Sequence, residues 1–330
     1  MKRLAAALLL SAVAARAEEI RIEVWRGHAS ARVESGGRTF VVKGPAQFDA
    51  PLRLDGRELP GRLELFLDEG GLVAVNAVDL EQYVAAVVAS EVPSGWPEQA
   101  LRAQAVAART FAVAQKVAQG AGARAHLGAS VIDQVYRNAA HPPQAAIDAA
   151  RATAGEVLTY GAAPIAAWFS ASCGGRSESA EDAFNLAPGT APYVRGGEED
   201  EDARQWTVRV PFAEITSALR KARRIEAQVE DLSVESRTAS GRARMLAVKT
   251  AAGPRPLAAV ELRQLLGYAR LPSLLFSVAT AGGAAVFRGR GSGHGVGLCQ
   301  WGARARAERG AGYREILAHY YPGAEIRRMY

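Results

Sequence analysis

The chain has 330 residues, of which 49% are hydrophobic and 22% charged, with a formal net charge of +6. This is the composition of a globular protein long enough to bury a substantial core in one large or two ordinary domains. Lys2, Arg3 and Arg16 supply half of that charge, and the +3 left on residues 18–330 is too mild to point to nucleic acid as a partner.

In chain order, the first signal is Met1-Lys2-Arg3, followed by an uncharged run through Leu4 to Ala14 and the triplet Ala15-Arg16-Ala17. A basic start, an apolar run shorter than the roughly 20 residues a bilayer demands, and a small-x-small triplet predict a secretory signal peptide over 1–17. No later segment is apolar for long enough to span a membrane. The mature chain is therefore expected to be exported, periplasmic or extracellular in the cell envelope, with no transmembrane segment.

Residues 18–75 alternate apolar and polar in short runs, such as Ile20-Arg21-Ile22-Glu23-Val24 and Arg62-Leu63-Glu64-Leu65-Phe66. Gly-rich turns at Ser35-Gly36-Gly37 and Glu69-Gly70-Gly71 separate them, which predicts a β-rich N-terminal region. The period changes at Asp79. Leu80, Tyr83, Val84, Val87 and Val88 fall on one helical face, Asp79 serves as cap, and Pro93 predicts a stop near Glu91. A second helix is predicted from Pro97 to Gly120, with Ala105, Ala108 and Ala112 on its face; side chains this small allow close approach, so it should pack centrally. An Ala-rich helix over 144–154 and a strand over Glu156 to Tyr160 follow. Residues 205–280 read as strand, helix, strand, strand, helix, strand, and a short last helix runs from Tyr313 to Tyr320 before Pro322-Gly323. The fold class expected is α+β: a compact body of Ala-rich helices packed on mixed β-strands over 76–330, preceded by the small β-rich element over 18–75.

Three segments carry candidate chemistry. The first is Ser90-Glu91-Val92-Pro93 with Ala103 to Thr110. A carboxylate at a helix end beside valines and Trp96 would have a raised pKa and serve as a proton donor near neutral pH; a solvated glutamate is the plainer alternative. The second runs from Phe169 through Ser172-Cys173-Gly174-Gly175 to Glu178, Glu181 and Asp182. It offers close backbone approach and many hydrogen-bonding groups to a polyhydroxylated ligand, or forms only a polar turn. The third is Gly289 to Ala303. If extended, its alternating glycines would leave one face bare for a flat ligand and put Arg290, Ser292, His294 and Val296 on the other. It lacks the Lys-Ser/Thr ending of a phosphate-binding loop, and a lone His294 without a spaced partner makes no zinc site. Cys173 and Cys299 are the two cysteines, and an even pair in an exported protein suggests one disulfide, with two buried thiols as the alternative.

Taken together and in this order, the three segments resemble the SpoIID/LytB family, whose members carry "SE-[MV]-P … AQAVAART", "S-x-[SC]-GG … E-x-A-E-D" and "G-x-GHGVG-[ML]-[SC]-QWGA". The closing Ile316 to Gly323 is similar as well, and the resemblance covers about 75 to 330. It implies a catalytic domain over 76–330 that cuts the MurNAc-GlcNAc strands of peptidoglycan as a lytic transglycosylase, on strands stripped of stem peptides, or a protein that enhances or recruits an N-acetylmuramoyl-L-alanine amidase.

The family's catalytic glutamate falls on Glu91. In a lytic reaction one residue can protonate the leaving glycosidic oxygen and then take the proton from the muramic acid 6-hydroxyl, leaving a 1,6-anhydro end; hydrolysis would need a second carboxylate, for which Glu178, Glu181 and Asp182 are candidates. Gln104, Arg109, Ser170, Ser172, Gly174, Gly175, Glu178, Ser292, His294 and Gln300 carry over as residues lining the substrate site, some of them structural. Arg109 could pair with Glu91 or Glu178 as readily as touch sugar. The position of both cysteines within glycine-rich motifs favours a Cys173–Cys299 bridge; a thiol nucleophile paired with His294 is the rival. Some relatives bind zinc through a His/Cys cluster ahead of Gln-Val-Tyr, but here that stretch is Gly128 to Tyr136 without thiols, so no metal and no cofactor are expected. The expected partners are peptidoglycan glycan strands and a cell-wall amidase.

Overall fold

A computed structural model describes residues 18–27, 29–120, 122–128, 135–136, 140–194, 196–197 and 204–330. The expected signal peptide, and residues 129–134 of the stretch in which thiols are missing, lie outside the described residues.

The alternating N-terminal sequence becomes eight strands: β1 (Glu19–Gly27), β2 (Ala31–Ser35), β3 (Arg38–Val42), β4 (Ala46–Asp49), β5 (Leu52–Leu54), β6 (Arg57–Leu59), β7 (Arg62–Asp68) and β8 (Gly71–Asp79). They form one sheet in the order β3-β2-β5-β6 and a second in the order β4-β7-β8-β1, to which β9 (Leu127–Gly128) adds in parallel beside β1. Val33, Leu52, Leu54, Leu63, Leu65 and Leu72 bury their side chains between them, as period-2 alternation requires when one face of each strand is covered.

Strand β8 runs straight into α1 (Leu80–Glu91), where the Asp79 carboxylate accepts from the amides of Glu81 and Gln82 at 3.0 and 3.1 Å. That satisfies two of the donors every helix start leaves over. Val92 is extended, at φ −134° and ψ 146°, as a residue before proline must be.

Helix α2 (Glu98–Gln119) lies between Pro97 and Gly120 and is buried on opposite sides. Ala105, Ala108 and Ala112 pack with α1 and α3 (Gln144–Ala152) in one core; Ala103, Val106 and Ala107 pack with Leu158, Leu298, Ile316 and Leu317 in another. A helix between two cores needs short side chains on both sides, and alanine provides them without loss of helix propensity.

Beyond α3 come β10 (Glu156–Tyr160), β11 (Ala163–Pro164), β12 (Phe169–Ser170) and the short α4 (Ala180–Phe184). The next part of the chain builds a separate core: β13 (Gln205–Pro211), α5 (Phe212–Lys221), β14 (Val229–Arg237), β15 (Ala243–Thr250), β16 (Gly253–Ala258), α6 (Ala259–Leu266), β17 (Phe276–Ala281) and β18 (Ala284–Arg290). Its sheets are ordered β13-β18-β17 and β14-β15-β16, closed around Val210, Ile215, Leu232, Leu246, Leu262 and Phe287. The structure adds β16 to the sequence reading of 205–280, and β18 beyond it; the two prolines of β16 are accommodated because it lies at a sheet edge.

The chain then returns through β19 (Leu298–Cys299), which pairs in parallel with β12, to α7 (Gln300–Glu308), α8 (Tyr313–Tyr320) and β20 (Glu325–Arg328) alongside β10. The architecture is α+β, with helices packed on mixed sheets. Among the described residues no helix is long and apolar enough to cross a membrane.

Candidate functional site

Glu91 is the last residue of α1, and the stop imposed by Pro93 leaves its side chain at the junction of three segments. Its Oε1 accepts from the Val135 amide at 2.9 Å and its Oε2 from Gln300 Nε2 at 3.2 Å. Gln300 opens α7, and the same Nε2 lies 3.4 Å from the Oε1 of Gln104 in α2. Burial pushes the Glu91 carboxyl above the ordinary carboxylate range, against the opposing pull of the Val135 and Gln300 hydrogen bonds. Both partners are neutral, so neither offers the counter-charge that would restore easy ionisation.

Gln104 is 1% exposed, and its Nε2 has no partner among the described residues. A buried donor left over in this way costs about 1–3 kcal/mol, a cost that an acceptor oxygen of a ligand would offset.

The second and third segments interlock beside this carboxyl. Phe169 pairs with Leu298 and Ser170 with Cys299, while Ser172 and Ser292 exchange two backbone hydrogen bonds of 2.9 Å. Ser170 Oγ accepts from the Gly295 amide at 3.2 Å, and Ser172 Oγ accepts from Gly174 at 3.3 Å. Gly174 and Gly175 turn with φ of +73° and +89°, and a Cβ on Gly174 would stand 2.9 Å from the backbone of Arg290 and Gly291.

The extended, bare-faced arrangement considered over 289–297 does not continue past Arg290, the end of β18. Gly291, Gly293, Gly295 and Gly297 all have positive φ, so the chain folds back, and the space beside them is taken by Ser172, Ser170, Arg242 and Trp168 of the protein itself. The glycines serve close packing and present no open face to a ligand. Of the residues carried over for substrate, only Gln300 bonds Glu91 directly, and Gln104 joins it through Gln300; Ser170, Ser172, Gly174, Gly175, Ser292 and His294 belong to this knot beside it.

His294 accepts from the Val296 amide at Nδ1 (3.0 Å), and its ring makes a further hydrogen bond to the backbone of Phe169. Although part of its surface is exposed, close surroundings push its pKa down to about 4, first by desolvation and then by the charges of Arg263 and Arg242. It is a neutral clamp on the loop. Glu178 is equally committed: Ser179 donates to Oε1, while Thr238 and Ser240 donate to Oε2 at 2.6 and 2.8 Å. Glu181 accepts from the Ala191 amide and Asp182 pairs with Arg244. The three carboxylates considered as a second catalytic group thus bind other elements.

Arg109 pairs with neither Glu91 nor Glu178. Fully buried in α2, it meets Glu81 of α1 in a two-point ion pair and also donates to Thr153 and to the carbonyls of Ala150 and Glu156. Its five donors are spent inside the protein, so it holds α1, α2 and α3 together. The expected Cys173–Cys299 bridge is likewise absent from the structure. Both residues are buried thiols, and the Cys173 amide donates to Cys299 Sγ at 3.2 Å. With His294 taken up by backbone groups, the thiol-nucleophile alternative has no geometric support.

The structure adds residues that the sequence reading did not single out for the site. Trp301, next to Gln300, meets Trp96 edge-on at 4.9 Å between ring centroids; the Arg204 guanidinium lies 3.2 Å and that of Arg304 5.0 Å from the Trp301 ring centre. Stacking of this kind holds guanidinium groups in place. Neither arginine contributes to the pKa of Glu91, whose perturbing neighbours are all neutral. Trp301 lies within the third motif, but nothing in the sequence brings Arg204 to it.

Comparisons with known proteins show the family. A family model described as stage II sporulation protein matches residues 68–160, which span α1, with Glu91 at its end, and α2; a second, described as a domain of unknown function, matches 194–297. Stage II sporulation protein D of Bacillus amyloliquefaciens is 31% identical over 268 residues, covering 77% of this chain and 75% of that protein. An uncharacterized protein of Brachyspira hyodysenteriae is 30% identical over 276 residues, or 83% of this chain and 73% of its own. An amidase enhancer of Bacillus subtilis is 27% identical over 293 residues, 73% of this chain but 39% of that protein.

Proposed function

The chain belongs to the SpoIID/LytB family of stage II sporulation protein D and amidase enhancers, and from that premise we propose that it is an exported protein of the cell wall that cuts peptidoglycan glycan strands with Glu91 as acid and base. The observation that carries this reading is the state of the Glu91 carboxyl: buried, raised in pKa and held between two neutral donors. A carboxyl in that state holds its proton to higher pH than an ordinary carboxylate does, and can give it to a glycosidic oxygen. Glu178, Glu181 and Asp182, the three carboxylates considered for activating water, are engaged elsewhere. That supports the lytic route, in which the deprotonated Glu91 recovers its proton from the muramic acid 6-hydroxyl as the 1,6-anhydro ring closes. The unpartnered Gln104 amide would donate to a sugar oxygen at the same place.

A second reading, that the protein binds peptidoglycan without cutting it and enhances or recruits an N-acetylmuramoyl-L-alanine amidase, has its own support. One of its relatives is named an amidase enhancer, and the names of the relatives favour this reading more directly than they favour cleavage. One experiment separates the two. Purified protein incubated with denuded glycan strands should release fragments with anhydromuramic ends by mass spectrometry, and Glu91→Gln should lower the rate at least 100-fold, the scale of general acid–base catalysis. If no fragments appear while a wall amidase turns over faster in the protein's presence, the non-catalytic reading stands and the cleavage reading falls.

A further inference from the structure

Outside the Glu91 site, the β13-β18-β17 sheet carries a groove of about 420 Å³ lined by three strands and the end of β14. The strand register defines its polar face. Gln205 lies opposite Arg290, and Thr207 and Ser277 lie on either side of Arg288. Cross-strand partners share a face, and all five of these side chains are exposed. Arg237 reaches the same groove, its Nη1 anchored on the carbonyls of Gly241 and Phe276 at 2.7 and 3.0 Å. Trp206, Leu275 and Phe276 supply the apolar part of the lining.

Among the described residues the charge of this groove has no internal compensation: no aspartate or glutamate lines it, and the side chains of Arg288 and Arg290 have no hydrogen-bond or ion-pair partner. Elsewhere in this chain arginines are commonly paired with carboxylates, as Arg21 with Glu64, Arg224 with Glu261 and Arg314 with Glu156. Arg288 and Arg290 spring from alternate positions of one strand, so their Cα atoms stand roughly 7 Å apart, which is also the spacing of alternate residues in an extended peptide. Neutral hydroxyl and amide groups flank them and do not compete with an anion. Guanidinium binds carboxylate through two parallel hydrogen bonds, and the neighbouring apolar lining suits methyl-sized side chains better than it suits a phosphodiester backbone.

We propose that this groove is a second binding site, for short extended peptides bearing free carboxylates, and that its ligand in the wall is the peptide stem of strands neighbouring the one at Glu91. The identity of that ligand rests on the peptidoglycan reading above. Continuity of the chain supports the pairing of the two sites: Gln205 follows Arg204, which stacks on Trp301 beside Gln300, and the amide of Gly291, next to Arg290, donates to the Arg204 carbonyl at 2.8 Å. A peptide held over β18 would place its own wall segment next to the candidate cleft.

The test is calorimetric titration of the whole mature protein with three probes: a disaccharide-tetrapeptide muropeptide, the same disaccharide without peptide, and poly(glycerol phosphate). The peptide-bearing probe should bind, and the double variant Arg288→Gln/Arg290→Gln should bind it at least tenfold more weakly while melting at the wild-type temperature and treating denuded strands as the wild type does. Equal affinity of variant and wild type, no binding of the peptide-bearing probe, or equally tight Arg-dependent binding of poly(glycerol phosphate) would each overturn the proposal. Should the wild type leave denuded strands uncut and yet bind the peptide probe through Arg288 and Arg290, the cleavage reading fails and the groove stands. Cleavage without peptide binding is the opposite result.

Discussion

The Glu91 carboxyl is buried against the neutral Val135 and Gln300 donors, so ionising it in the folded protein is harder than in the unfolded chain. The linkage has a definite sign. A raised folded pKa means that stability associated with this group is fully present below the unfolded value, near 4.3, and is lost as pH rises through the folded pKa. Glu91→Gln removes the titration. The variant should therefore be more stable than the wild type at pH 7, by about 1.4 kcal/mol for each pH unit between the folded and unfolded pKa, and the gap should close below about pH 4. Urea denaturation of both proteins across that range measures it, and a variant that is less stable at pH 7 would mean that Glu91 is not held in a desolvated state. A stability gain on removing a residue from a site is the expected sign of a group placed for chemistry at a cost to folding.

At the scale of elements, the glycine-rich loop between β18 and β19 is shaped by the Arg242 guanidinium, which it encloses. Arg242 donates to the carbonyls of Cys173 and Arg176 and to Ser240, and a Cβ on Gly295 would come within 2.0 Å of it. Gly295→Ala meets two penalties, a left-handed φ of +79° and this collision. Gly283 offers the control: its φ is +69°, but nothing lies within 4 Å of an added Cβ. Gly283→Ala should cost about 1–2 kcal/mol, the ordinary penalty for the left-handed region, whereas Gly295→Ala should cost at least about 2 kcal/mol more, because a buried guanidinium would have to give up carbonyl partners. Equal losses in a thermal or urea melt would show that Arg242 moves aside freely and that the loop is not built on it.

Across the whole molecule, the Arg109–Glu81 pair is the point where distant parts of the chain meet. Glu81 accepts from Arg109, from the Gly155 amide at 3.1 Å and from the Tyr330 hydroxyl at 2.6 Å, so α1, α2, the turn after α3 and the last residue share one carboxylate. Burial by itself would raise its pKa, but the hydrogen bonds and charge of Arg109, with the hydrogen bonds from Tyr330 and Gly155, together outweigh burial and lower it. Arg109→Leu leaves that carboxylate without its counter-charge and should destabilise the fold by about 3–5 kcal/mol near neutral pH. A lowered pKa contributes stability that is present above the unfolded value and lost as pH falls through the folded one. The deficit of the variant should accordingly shrink in acid. A melt showing a loss under 1 kcal/mol at neutral pH would return Arg109 to the list of residues facing a ligand.

Local rules were enough for the elements. Asp79 as cap, Pro93 as stop, Pro97 and Gly120 around α2, and the alternation up to residue 75 each act within a few residues, so α1, α2 and the β-rich start could be placed from sequence, and three long motifs in order were enough for the family. What each motif residue does depends on partners far away in the chain, and only the tertiary structure decided that. Glu91 and Gln300 are 209 positions apart, Arg109 found Glu81 and not Glu91, and the alternating glycines enclosed the protein's own groups. A side chain's pKa, its spare donors and its neighbours are set by burial and by long-range contacts, which no window of sequence contains.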